Sequence, residues 1–201
     1  MSSTASPYGL RPIRRVDGLP YAGQMRQVKI ASGYATSIFI GDIVAVHTDG
    51  TIVLVNQAGT NAAPFPAGTL GVFMGYMAGG DPTNPIFTPV GINWKGGTVD
   101  ANAMAFVVDD PNVAFLAQAN GALAQADLHT NIGISYPGDV TGFVKSGVAL
   151  DTATKAATDT IALKVIDFYT GPGSKVGDAY TDVIVKFNPK SHAYLNGTGV
   201  A

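Results

Sequence analysis

The sequence predicts an all-β fold, a β-sandwich or small β-barrel with an extended N-terminal arm and one short helix. Three observations carry this. All fourteen acidic residues are Asp and none is Glu, so a good helix former is missing while a turn former is abundant. Gly (25) and Pro (12) are frequent and break the 201 residues into short pieces. Between these breaks lie short runs rich in Val, Ile, Thr and aromatic residues, the composition of strands. A chain of this length forms one domain, and it is long enough to bury a full core. Three segments are expected: an extended arm over 1–24, a β domain over 25–190 and a frayed tail over 191–201.

The arm is read from Pro7, Pro12 and Pro20, which remove backbone donors and bias their neighbours towards extended conformations. A first strand is expected over Met25 to Ile30. Ile43 to Val46 and Ile52 to Val55 flank Thr48-Asp49-Gly50-Thr51, where Asp-Gly predicts a tight hairpin with positive φ angles. Residues 56–69 and 78–92 read as long loops. Between them Leu70 to Met77 reads as a buried strand, whose glycines indicate a bend or the close approach of another backbone. Ala103 to Val108 and Val113 to Gln118 are strands separated by Asp109-Asp110-Pro111. The short helix is expected over Ala122 to His129, and a weak strand pair over Val140 to Leu150. Ile161 to Phe168 and Thr181 to Phe187 are the clearest strands. In the latter Val183, Val185 and Phe187 alternate with Asp182, Ile184 and Lys186. Eight to ten short strands with turn signals define the class.

Charge is scarce, at 13% of residues, and unevenly placed. Residues 1–30 hold Arg11, Arg14, Arg15, Arg26 and Lys29 against Asp17, a net +4; residues 31–201 hold seven Lys against thirteen Asp, a net −6. A basic arm on an acidic body points to an acidic partner surface. Five cations without interleaved aromatics make a poor nucleic-acid footprint, so no nucleic acid is expected as partner. No apolar run reaches the ~18 residues of a membrane span, and none near Met1 has signal-peptide length. The expectation is a soluble protein made in the cytoplasm, with no membrane partner.

Chemistry was sought residue by residue. There is no Cys, which excludes thiolate chemistry and Cys-based zinc sites. His47, His129 and His192 form no ligand-spaced pair. His47 is expected at an exposed strand end, His129 near the end of the short helix and His192 in the frayed tail. Asp109-Asp110 reads as a strand exit, because neighbouring side chains diverge and do not face one sugar ring. Gly171-Pro172-Gly173-Ser174-Lys175 lacks the Gly-Lys pair and the following helix of a phosphate-binding P-loop. No nucleophile elbow is visible. No catalytic residue, metal site or cofactor is expected. Trp94 and most other aromatics are assigned to core packing. Tyr8 and Tyr21 lie in the arm and are assigned to partner contact.

Several runs occur in order: Pro7-Tyr8-Gly9-Leu10-Arg11-Pro12, the stretch Tyr34 to Asp42, the stretch Val108 to Phe115, the segment Thr141 to Asp151, Leu163 to Phe168, and Lys186-Phe187-Asn188. Together they resemble the small virion proteins of tailed bacteriophages that decorate and stabilise the head, the cement or decoration proteins. The resemblance spans nearly the whole chain. It implies attachment to the exterior of a capsid built from a major capsid protein of the HK97-like fold, commonly as a homotrimer. It brings no catalytic residues. The expected mechanism has an arm that is flexible in the free protein and orders on the shell by adding as a strand to a sheet edge. Arg11, Arg14 and Arg15 would pair with carboxylates of the capsid or a neighbouring subunit, and Tyr8, Leu10, Ile13, Val16, Leu19 and Tyr21 would be apolar anchors. Ordering about 20 residues costs roughly 20–40 kcal/mol, so the anchors would have to be deeply buried. The alternative reading is a carbohydrate-binding or adhesion module with the two long loops as its face.

Overall fold

The computed structural model describes residues 4–79, 88–91, 93–136 and 145–200. The fold is all-β and built from two antiparallel sheets. The strands are β1 (Arg11–Arg15), β2 (Arg26–Lys29), β3 (Ile43–Val46), β4 (Ile52–Leu54), β5 (Thr69–Ala78), β6 (Thr88–Gly91), β7 (Met104–Val108), β8 (Val113–Gln118), β9 (Asn131–Ser135), β10 (Ala149–Ala156), β11 (Leu163–Phe168) and β12 (Asp182–Phe187). The first sheet has the order β1-β8-β12-β11-β9-β10. The second has the order β2-β7-β5-β3-β4, with β6 on the far end of β5.

One layer of core lies between the sheets. Val113, Phe115, Ala117, Leu163, Val165, Val183, Val185 and Phe187 face it from the first sheet, and Ile43, Ala45, Val72 and Val108 from the second. The alternation read in β12 is therefore real, with Val183, Val185 and Phe187 inward. A second core lies on the other face of the second sheet. There Val44, Leu54, Phe73, Ala105 and Val107 pack under Ile30, Ile38 and Trp94. Trp94 is held in place by reciprocal backbone bonds with Ile38 (2.8 and 3.0 Å) and by an edge-on contact with Tyr76 at 5.3 Å.

The glycines of β5 act in both expected ways. A Cβ on Gly71 would lie 1.9 Å from the Val108 carbonyl oxygen, so a neighbouring backbone passes too close for any side chain. Gly75 has φ 134° and sits at a bulge between Phe73 and Gly75 that bends the strand.

Three local expectations are corrected. The segment expected to be a short helix, Ala122 to His129, contains only a 3-10 turn over Gln125–Asp127. The hairpin at Asp49-Gly50 forms and pairs β3 with β4, but Gly50 alone of the pair has positive φ (80°), and the Asp49 carboxylate accepts bonds from the Thr51 amide and hydroxyl. The tail is not frayed. Pro189–Ser191 forms a 3-10 turn, the Ala193 amide donates to the Thr69 carbonyl, and His192 is buried against Phe187 and Tyr194. Most of the loop 78–92 and much of the segment expected to pair over Val140 to Leu150 lie outside the described residues.

Candidate functional site

The largest departure from the expected organisation is the N-terminal segment. Residues 11–15 are the edge strand of the first sheet, paired antiparallel with β8 in the register Arg11–Leu116 and Arg15–Val113. The chain does add a strand to a sheet edge, but the edge is its own. The entry route explains the Gly in Tyr8-Gly9-Leu10. Gly9 has φ 72°, and a Cβ there would meet the Gly41 carbonyl oxygen at 2.5 Å. Gly41, at φ 96°, approaches the Tyr8 carbonyl from the other side. The Leu10 amide then donates to the Gly41 carbonyl at 2.9 Å, and the Leu10 side chain is fully buried in the inter-sheet core. Leu10 is thus a core residue and not a partner anchor.

The other expected anchors separate by which side of β1 they occupy. Tyr8, Leu10, Arg11 and Tyr21 come together around one cavity of about 420 Å³, completed by Ile40, Met74 and Lys145. Its wall is mostly apolar. The Tyr8 hydroxyl donates to Asp182 at 2.9 Å, and the Arg11 guanidinium stacks over the Tyr8 ring at 4.5 Å. Burial, then the nearby Asp182 carboxylate, pushes the Tyr8 phenol well above its ordinary pKa, so it remains a donor. Tyr21 donates to the Gln24 carbonyl, and burial followed by Asp109 raises its pKa.

The arginines find carboxylates, but within the chain. Arg14 meets Asp167 at 2.6 Å, and Arg15 meets Asp17 and Asp110, each at 3.1 Å. Among the described residues Arg11 has no ion pair. Asp110 also accepts the Asn112 amide, and its neighbour Asp109 accepts Arg26 and the Tyr194 hydroxyl, so the Asp109-Asp110 pair ties the N- and C-terminal segments to the body. Burial, then the Asp109 carboxylate, raises the Tyr194 pKa to about 12.

Ile13 points away from the core and is 37% exposed. After it the chain turns back: the Arg15 amide bonds to the Leu19 carbonyl, and Arg14 bridges to Pro20. This return covers part of the free edge of β1. Val16, Leu19 and Met25 are 44%, 58% and 46% exposed, so with Ile13 four large apolar side chains between residues 13 and 25 reach the surface. Sequence reasoning named Ile13, Val16 and Leu19 among the anchors and missed Met25, although it is visible as an apolar residue in a polar stretch. Loop 56–68 does not form an independent face. Ala58 and Gly59 accept bonds from Ile134 and Ala162, and Phe65 enters the inter-sheet core.

The histidines stay apart. His47 is exposed beside Asp49, His192 is buried and its pKa is lowered by desolvation, and His129 follows the 3-10 turn with φ 65°. Among the described residues no three His or Asp side chains group as metal ligands, and no helix is long and apolar enough to cross a membrane. Comparison with family models, with curated proteins and with solved structures returns no match for this chain.

Proposed function

We propose that the chain is a virion structural protein that binds the outer surface of an icosahedral phage capsid as a homotrimer and stabilises it. The observation that carries this reading is the set of large apolar side chains exposed between residues 13 and 25, Ile13, Val16, Leu19 and Met25. Contiguous exposed apolar surface marks interaction sites on soluble proteins. The ordered runs that resemble decoration proteins support the choice of partner, a major capsid protein of HK97-like fold.

The mechanism differs from that of a flexible arm. Because residues 8–20 are already held by backbone bonds to Gly41, Val148, Asn112 and each other, their ordering cost falls on folding and not on binding. Each apolar side chain then contributes on the order of 1 kcal/mol as its remaining exposed area is covered. Three copies acting together turn such weak single contacts into firm attachment. Arg11, without a carboxylate of its own, is the arm arginine left to meet an acidic group of the capsid.

The test is co-sedimentation with expanded, undecorated heads. The Ile13→Asp, Leu19→Asp double variant is expected to keep the wild-type thermal midpoint and to lose most of its binding. Binding at wild-type strength by that variant, or no binding by the wild type, would overturn the reading.

A further inference from the structure

The outward face of the first sheet carries a second cavity, of about 370 Å³, whose lining shares no residue with the apolar one. Arg14, Arg15, His129, Lys164 and Lys186 line it, and no acidic side chain does. The register makes this more than a scatter of surface charge. Lys164 on β11 and Lys186 on β12 are directly opposite each other, so both ammonium groups project from one spot on one face. Like charges directly opposite destabilise a sheet. Neither lysine has an ion pair among the described residues, in a chain whose net charge is −2.

The row continues across the sheet. Val185 lies opposite Phe115, which brings Lys186 beside Ala114, and Ala114 lies opposite Arg14. The small, fully buried Ala114 thus lies between two long cationic residues of one row. Asp167 holds one terminal nitrogen of Arg14 from outside the cavity wall, and the rest of the guanidinium fork is free to donate. At the same cavity His129 is the one non-glycine with positive φ among the described residues. Left-handed backbone at such a residue is a local cost that folds retain where a position has a task.

We propose that this face binds a small multivalent oxyanion of the phosphate class, with Lys164 and Lys186 sharing its charge and Arg14 orienting it by paired donors. Lysines act as point charges on phosphate oxygens, and the arginine fork fixes geometry. The cavity lies at the small end of the range for ligand sites and is roomier than one phosphate group needs, which favours a linked pair of phosphates. Occupation removes the repulsion between the two lysines, so the ligand is expected to stabilise the fold as well.

Calorimetric titration of the full chain with pyrophosphate at low salt tests this, with inorganic phosphate as a second arm. Pyrophosphate is expected to bind and to raise the thermal midpoint, and phosphate to bind more weakly. The Lys164→Ala, Lys186→Ala variant is expected to weaken binding by about tenfold or more without lowering the midpoint of the free protein. The Lys95→Ala, Lys175→Ala variant removes the same charge elsewhere and is expected to stay within about twofold of wild type. Absence of pyrophosphate binding, equal loss in both variants, or full binding by the Lys164, Lys186 variant would each overturn the proposal.

Discussion

The second sheet is buried on both faces, and the first leaves part of its outer face open. They share the layer of Val, Ile, Leu and Phe between them, but the outer face of the second lies under Ile30, Ile38 and Trp94, while the first turns Arg14, Lys164 and Lys186 outward. The sequences follow this difference. In the first sheet β12 sets Asp182 and Lys186 on the face opposite Val183, Val185 and Phe187, whereas Ile43–Val46 and Thr69–Ala78 of the second run almost continuously apolar. The comparison teaches where binding surface can lie. A face that needs a cover for stability has little left to offer a partner. The open part of the first sheet and its edge carry Ile13, Arg14, Lys164 and Lys186.

Substitutions can break this contrast, and the largest effect is expected on the covered face. Trp94→Ala removes the cover and its contact with Tyr76, and should cost about 3–5 kcal/mol in urea unfolding. A cost under about 1 kcal/mol would mean that the outer core of the second sheet is incidental. Leu10→Ala comes next, at about 2–5 kcal/mol, because its side chain fills the shared core. A detachable arm would instead lose almost nothing.

Asp42, just before β3, sharpens the same point through pH. Its carboxyl is fully buried, accepts the Phe39 amide at 2.8 Å, and leaves Oδ1 without a hydrogen-bond partner. Burial raises its pKa to about 6, against the smaller opposing pull of Ser146 and of the Phe39 amide. The folded state therefore holds this proton more tightly than the unfolded chain. Stability from this group is present at low pH and is lost as pH rises from about 4 to about 6, by up to about 3 kcal/mol. Asp42→Asn should flatten the stability profile in that window, and an unchanged profile would show that the carboxylate finds solvent. The smallest effect is expected on the open face. Arg14→Ala breaks a half-exposed pair with Asp167 and should cost less than about 1 kcal/mol by thermal unfolding. A loss comparable to that of Trp94→Ala would abolish the distinction between the faces.

Much of the fold was legible because its signals are local. Turn residues separated the strands, and the alternation in β12 assigned its inward face. The apolar run with glycines in β5 read as a buried strand with a bend or a close backbone neighbour. What was not legible depends on long-range pairing. β1 contains Pro12 and three arginines and shows no period, and only its partner β8, about a hundred residues away, makes it a strand. The expected arm was therefore drawn as free, and Leu10 was given to a partner when the core takes it. The tail was misjudged for the same reason, since His192 is buried only by Phe187 and Tyr194 in three dimensions. Of the candidate site, the residue types were legible and their sides were not. Arg14 and Arg15 stand at a cationic cavity with Lys164 and Lys186, which no spacing in the sequence connects.

Backbone amide exchange in the free protein tests most directly whether the N-terminal segment belongs to the fold before any partner arrives. The amides of Leu10, Arg15 and Val16 donate to Gly41, Leu19 and Asn112. Leu10 and Val16 are expected to exchange only with opening of the sheet edge, far more slowly than an unstructured chain. Exchange of these amides at the free-chain rate would contradict the account and return the segment to a flexible arm.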